Sequence, residues 1–223
     1  DNYNVGKYET EVLTLLEELF LKNKYVLLVG GSGLYIDAVC NGFDNLPEAD
    51  IIIRNKITKL YNEQGIAGLQ QLLMKLDENY YNQIDLNNRQ RLSRALEVCL
   101  ITGKPYSDLR KGSDAKRNFE IKKFVLDLPR AILYERINKR VDEMFEAGLV
   151  EEVESLIGYR HSNALQTVGY KELFEYLDKK CTLNEAKEKI KQYTRNYAKR
   201  QQTWFRKDKE YRWMTGDEII SLF

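Results

Sequence analysis

The stretch Tyr25-Val26-Leu27-Leu28-Val29-Gly30-Gly31-Ser32-Gly33-Leu34-Tyr35 decides the reading of this chain. An unbroken apolar run enters a glycine turn. Such a run predicts a strand buried on both faces, as in a parallel sheet. A helical apolar face precedes it, from about Val5 to Lys22, through Leu13, Leu15, Leu16, Leu19 and Phe20. Another helix is predicted from Leu34 to about Asn41. Helix, buried strand, glycine turn and helix make a piece of an α/β fold, with a ligand expected at the carboxyl end of the strand. Backbone amides of the turn can approach a phosphate or a ribose, and Ser32 adds a hydroxyl at a helix N-terminus. The same residues also suit a plain tight turn capped by serine. It is not a Walker A loop, because Gly-x-x-x-x-Gly-Lys-Ser/Thr occurs nowhere in the chain.

Working outward, Asp50 is a good N-cap after the Asn45-Leu46-Pro47 turn. From Ile51 to about Asp85 the pattern is helical and polar, broken at Gly65. Asn87 or Asn88 caps a further helix through Leu92, Ala95, Leu96, Cys99 and Leu100, which ends near Gly103-Lys104-Pro105. A second strand is predicted over 119–126. Pro129 opens a helix with Ile132, Leu133, Ile137, Val141, Met144 and Phe145 on one face and Gly148 as its stop. Helices follow near 150–157, 170–179 and 183–206, then a short strand at 211–214 and a terminal helix. The expected division is 1–43 as part of an α/β core, 44–104 as a helical insertion, and 105–223 as the remainder of the core with C-terminal helices.

Composition narrows the function. The chain has 223 residues with 35 basic against 34 acidic, a net charge of +1, so any anionic partner must be met by a local patch. There is no run of about eighteen apolar residues, and no membrane span is expected. Cys40, Cys99 and Cys181 lie far apart, which argues against a disulfide framework and fits small core residues in a reducing compartment. With a single histidine, His161, no metal site is expected from these residues.

Three basic clusters carry possible chemistry. In Arg89-Gln90-Arg91-Leu92-Ser93-Arg94, Arg91 and Arg94 share a helical face and suit phosphate or base contacts; salt bridges, for instance to Glu97, are the structural alternative. Arg136 and Arg140 are spaced i, i+4 and suit a pyrophosphate, with Glu135 and Asp142 as possible neutralising partners. Between Lys187 and Arg212 there are ten Lys or Arg and only Glu188, Asp208 and Glu210 as acids. There Arg195, Lys199, Gln202 and Arg206 share one helical face, beside a packing face of Ile190, Tyr193, Tyr197 and Trp204. A basic stripe on an anchored helix is the footprint of nucleic-acid binding.

Together these residues resemble the tRNA dimethylallyltransferases. Leu28-Val29-Gly30-Gly31-Ser32-Gly33-Leu34-Tyr35 is similar to that family's Val-Gly-Gly-Thr-Gly-Leu-Tyr segment, and Arg91-Leu92-Ser93-Arg94-Ala95-Leu96-Glu97-Val98 to its Arg-x-x-Arg-Ala-Leu-Glu-Val helix. Val168-Gly169-Tyr170-Lys171-Glu172 resembles its Ile-Gly-Tyr-Lys-Glu motif, and residues 194–206 resemble its C-terminal signature. The resemblance implies a P-loop-like parallel-sheet core with a helical insertion domain, helix-rich overall. It implies transfer of a dimethylallyl group from its diphosphate to N6 of the adenosine at tRNA position 37, with magnesium.

By the same resemblance Ser32 stands near the reacting adenine, and Arg140, with Arg136 beside it, holds the diphosphate. Contacts to the tRNA anticodon stem-loop fall to Arg54, Gln90, Arg91, Leu92, Ser93, Arg94, Gln166, Thr167, Val168, Gly169, Tyr170, Lys171, Thr194, Arg195, Lys199, Arg200 and Gln201. A cytoplasmic monomer is expected. The family's P-loop and its general-base aspartate have no match here, and both are expected upstream of Asp1, which leaves this chain inactive alone. An adenylate isopentenyltransferase acting on free nucleotides, and a non-catalytic RNA-binding module, are the alternatives.

Overall fold

The computed structural model describes residues 3–44, 46–110, 112 and 115–222. Its elements, in order, are helices α1 (Val5–Phe20), α2 (Gly33–Asn41), α3 (Ile51–Leu76), α4 (Glu78–Tyr81), α5 (Arg89–Thr102) and α6 (Tyr106–Leu109). Strand β1 (Phe124–Leu126) follows, then α7 (Arg130–Glu146), α8 (Leu149–Ser155), α9 (Tyr170–Leu177), α10 (Leu183–Phe205), β2 (Arg212–Met214) and α11 (Gly216–Ile220). The chain forms two compact units. One comprises Asp1–Leu28 with Leu34–Phe119, the other Val29–Gly33 with Glu120–Phe223. Among the described residues no helix is long and apolar enough to cross a membrane.

In the first unit, side-chain caps set the helix boundaries. The Asp50 carboxylate accepts from the amides of Ile52 and Ile53 at 2.7 and 3.0 Å, which starts α3. Gly65 (φ 66°, ψ −159°) breaks α3 midway, a backbone conformation that costs glycine little. Asn88 caps α5 through the Arg91 amide, and Gly103 ends it in the left-handed region. Leu69 and Leu73 of α3 pack with Leu92, Ala95 and Leu96 of α5, all fully buried, to form the core. Asp77 closes this unit. It is buried, caps α4 at the Tyr80 amide (2.9 Å), and accepts from the Ser107 amide (2.7 Å) and hydroxyl (2.8 Å). Elsewhere in the unit, the Arg117 guanidinium donates to the carbonyls of Ala38 and Val39 at the end of α2 and to Glu9 of α1.

In the second unit, β1 and β2 pair in parallel, Phe124 with Arg212 through Leu126 with Met214. Lys123, just before β1, is bracketed by Asp208 and Glu210, both at 2.8 Å. Burial alone lowers an ammonium pKa; the two carboxylates outweigh it and hold Lys123 charged, above its ordinary value. Helices α7 to α10 enclose a core of Val141, Leu149, Val153, Leu173, Phe174, Ala186 and Ile190.

Two sequence expectations are corrected. Residues 25–29 are not a buried strand. They form no ladder, and Leu27 and Val29 are 76% and 81% exposed. A strand exists only through its hydrogen-bonded neighbours, and among the described residues the only ladder is β1 with β2. On α10, the packing face is Ala186, Ile190, Ala198 and Phe205, whereas Tyr193, Tyr197 and Trp204 stand partly in solvent.

Asp77 gives a direct test. Asp77→Ala leaves buried donors without an acceptor and should lower the unfolding free energy by about 1–3 kcal/mol. Asp77→Asn, which keeps an acceptor oxygen, should cost less. Denaturant midpoints of the three proteins check this, and an unchanged midpoint for Asp77→Ala would contradict the capping role.

Candidate functional site

Helix α10 is anchored at its start by a capping box, in which Thr182 and Glu185 exchange hydrogen bonds. Its last turns lie against the glycine turn. Gln201 Nε2 donates to the Gly31 carbonyl at 2.7 Å, and the Tyr197 hydroxyl reaches the same oxygen at 3.4 Å. The contact is possible because both glycines lack a side chain. A β-carbon on Gly31 would sit 2.1 Å from Gln201 Nε2, and one on Gly33 would sit 2.3 Å from the Trp204 ring. Ser32, between them, is exposed. The turn therefore presents a hydroxyl to solvent while α10 grips its backbone.

Several acids of the second unit are held by particular cations. Asp142 pairs with Lys187 (2.8 Å) and Lys191 (2.9 Å), which together hold its carboxyl below its ordinary pKa. Asp142 is thus not the partner of Arg140. Arg136 and Arg140 are exposed on α7 and have no ion-pair or hydrogen-bond partner among the described residues. On α10, Arg195 donates to Asn138 of α7 at 2.6 Å, and Arg200 lies 5.5 Å from the Tyr197 ring centre. The Lys199 side chain is exposed and makes no ion pair among the described residues. Thr194 turns its hydroxyl back to the Ile190 carbonyl, 2.7 Å away.

The 166–171 segment is built the same way. Gly169 (φ 107°) has a backbone that side chains rarely adopt, and its amide donates to the buried Glu172 carboxylate at 2.7 Å. The Tyr170 hydroxyl donates to Glu152, and that carboxylate raises the phenol above its ordinary pKa. Gln166 spends its amide on the Arg160 carbonyl, while Thr167, Val168 and Lys171 are exposed.

In the first unit, Glu97 is almost wholly buried and is held by Arg54 and Arg94, each at 2.7 Å. Arg94 also donates to the Pro47 carbonyl at 2.9 Å. The salt-bridge alternative therefore describes Arg94 and Arg54, both of which keep part of the guanidinium in solvent. Gln90 and Arg91 are exposed, and Ser93 is partly so. Leu92 is fully buried in the core and offers no side-chain surface to a ligand.

Comparison with known proteins bears on this arrangement. Residues 1–208 match the IPP transferase family. A tRNA dimethylallyltransferase of Bacteroides thetaiotaomicron is 46% identical over 222 residues, spanning 100% of this chain and 72% of that protein. One from Flavobacterium psychrophilum is 48% identical over 219 residues, spanning 96% of this chain and 71% of its own length. The chain belongs to the IPP transferase family.

Solved structures agree with this membership. The tRNA isopentenylpyrophosphate transferase of Bacillus halodurans superposes with a TM-score of 0.62 at 34% identity, covering 96% of this chain and 68% of its own. A eukaryotic dimethylallyltransferase acting on tRNA gives 0.70 at 26% identity, covering 92% and 53%. The helix-rich fold with its small parallel sheet is thus an IPP transferase fold.

Reading the sequence missed the grip of Gln201 and Trp204 on the turn, and the Asn138 partner of Arg195. The signal was present in Gly-Gly-Ser-Gly itself, since such glycines mark close backbone approach as well as tight turns.

The packing of Trp204 on Gly33 can be measured. Gly33→Ala should lower the unfolding free energy by about 1–3 kcal/mol, because a rigid ring must shift. In a Trp204→Ala background that cost should vanish or reverse, since alanine is the better helix former at the start of α2. Gly31→Ala should cost less, because the end of Gln201 can swing away. An equal cost for Gly33→Ala in both backgrounds would remove this contact from the site.

Proposed function

We propose that this chain serves the transfer of a dimethylallyl group from dimethylallyl diphosphate to N6 of the adenosine at position 37 of tRNA, with release of diphosphate. The observation that carries the reading is α10. One helix grips the glycine turn through Gln201 and Trp204 and also presents Lys199 and Arg200 to solvent. Arg200 lies over the Tyr197 ring, whose hydroxyl reaches the Gly31 carbonyl, so a nucleic acid held at Arg200 would come next to Ser32, while Lys199, two residues before Gln201, offers its charge on the other side of the helix. The relatives named above are tRNA enzymes, which supports the same reading.

The roles follow from what each side chain is free to do. The exposed Ser32 hydroxyl can orient the adenine whose N6 attacks the allylic carbon. Arg140, with Arg136 one turn away, is charged and uncommitted, and can stabilise the diphosphate as its negative charge grows. Lys199, Arg200, Lys171 and Arg91 can meet RNA phosphates. Gln90, Ser93, Thr167 and Val168, which are wholly or partly exposed, can touch the anticodon stem-loop, whose target base must leave its stack to react. Arg54, Arg94, Thr194, Arg195, Gln201 and Tyr170 act by holding the surfaces that carry these groups.

No Gly-x-x-x-x-Gly-Lys-Ser/Thr loop lies within the 223 residues, so the proposal extends to the chain being inactive by itself. Magnesium enters through the family resemblance. Among the described residues no three His, Cys, Asp or Glu stand together to hold it, and no step is drawn through the ion. A cytoplasmic monomer, with residues 44–104 as the insertion domain, completes the proposal.

A transfer assay of the protein that carries this chain, offered tRNA or AMP, tests the reading: tRNA should be prenylated and AMP should not. Arg140→Ala should raise KM for the prenyl donor and lower kcat, while affinity for tRNA is unchanged. Loss of tRNA affinity with intact donor kinetics would move Arg140 to the RNA surface. Turnover of AMP would favour the free-nucleotide enzyme. Binding of tRNA without turnover would leave an RNA-binding module.

A further inference from the structure

Residues 157–169 connect α8 to α9 with only two single 3-10 turns, Ile157–Tyr159 and Asn163–Leu165. They carry Gln166, Thr167 and Val168, all exposed. Backbone hydrogen bonds close its turns, such as Ser162 N to the Tyr159 carbonyl (2.8 Å) and Leu165 N to the Ser162 carbonyl (3.0 Å), but these are local, and its placement against the rest of the unit falls to side chains. Leu165 packs against the core, and Arg160 makes the two-point polar tie. Arg160 meets Asp178 at the end of α9 edge to edge, with its terminal nitrogens donating to the two carboxylate oxygens at 2.9 and 2.8 Å. The same guanidinium stands 5.1 Å from the ring centre of Phe174, a core residue of the unit. The Gln166 amide then donates to the Arg160 carbonyl at 2.6 Å, so the recognition segment is tied to the residue that is itself tied to α9.

Lys180 also reaches Asp178, at 2.9 Å. Arg160 first and Lys180 second hold the Asp178 carboxyl well below the usual carboxylate range, so the pair stays charged near neutrality. The two-point geometry matters here, because a planar fork fixes direction as well as distance.

We propose that Arg160 is a positioning residue, a latch that sets the 160–169 loop in the form in which Gln166 to Val168 meet RNA. This rests on the tRNA reading given above. Because Asp178 already compensates its charge, Arg160 contributes shape and no phosphate contact. Removing either partner should therefore have the same effect, which a direct phosphate contact would not produce.

An unmodified tRNA transcript titrated at several salt concentrations separates the possibilities. Arg160→Ala and Asp178→Asn should each weaken binding about tenfold, the scale of losing one preorganised loop. Both should leave the slope of log K against log salt, and the melting temperature, as in the wild type. Arg160→Lys, which restores one bond, should recover part of the affinity.

Three outcomes would overturn the latch. One is a slope flattened by about 0.7–0.9 in Arg160→Ala together with undiminished binding in Asp178→Asn, the mark of a phosphate contact. Another is unchanged binding in both variants. The third is a fall in melting temperature that accounts for the lost binding. Amide exchange over residues 161–169 in the free protein reads the latch without RNA. It should quicken in both variants, and unchanged exchange would also overturn the proposal. Quickened exchange in a protein whose wild type binds no tRNA would count against the tRNA reading and leave the latch standing.

Discussion

Two absent β-carbons allow α10 to lie against the glycine turn, and the placement of that turn depends on the contact. With Gly31 and Gly33 bare, Gln201 reaches the Gly31 carbonyl and the Trp204 ring covers Gly33. A backbone carbonyl in an irregular turn needs a donor, and a short turn leading into a helix has few of its own. The helix supplies one. The turn is thereby held by a long element that is fixed at its far end by the Thr182–Glu185 capping box and along its length by Ile190 and Ala198. Ser32 inherits its position from those distant contacts.

Charge is distributed by the same logic. A protein of net charge +1 can bind a polyanion only through a local patch where acids are few or already paired. Asp142 is occupied by Lys187 and Lys191, Asp178 by Arg160 and Lys180, Asp208 and Glu210 by Lys123, and Glu97 by Arg54 and Arg94. Cations with no acidic partner among the described residues include Arg136, Arg140, Lys171 and Lys199. Many residues that look like RNA contacts in the sequence are the braces, and these are the groups they leave free to act.

Much of this was legible in the sequence, for local reasons. The caps at Asp50 and Asn88, the break at Gly65, the stop at Gly103 and the strands at β1 and β2 are dictated by residues within a few positions of each other. Residues 25–29 defeated the reading because burial of a strand is decided by neighbours that a local pattern does not name. Of the face read as packing, Ile190 lies in the core and Tyr197 and Trp204 meet the glycine turn while staying partly in solvent; the small Ala198 and the ring of Phe205 fill buried positions that the aromatic pattern did not name. The site divided likewise. Which residue types bear charge was plain, but whether Arg94 serves Glu97 or a phosphate depends on a contact whose geometry only the fold supplies.

The most direct measurement is a photocrosslink from the reacting base. A tRNA carrying a photoreactive adenosine at position 37 would be bound to the protein, irradiated, and the adducts mapped by mass spectrometry. Adducts within residues 30–34 and on the 194–204 face of α10 are expected, because the turn and the helix that grips it form one surface. Specific adducts confined to other parts of the chain, with none on either segment, would contradict the placement of the target base at Ser32.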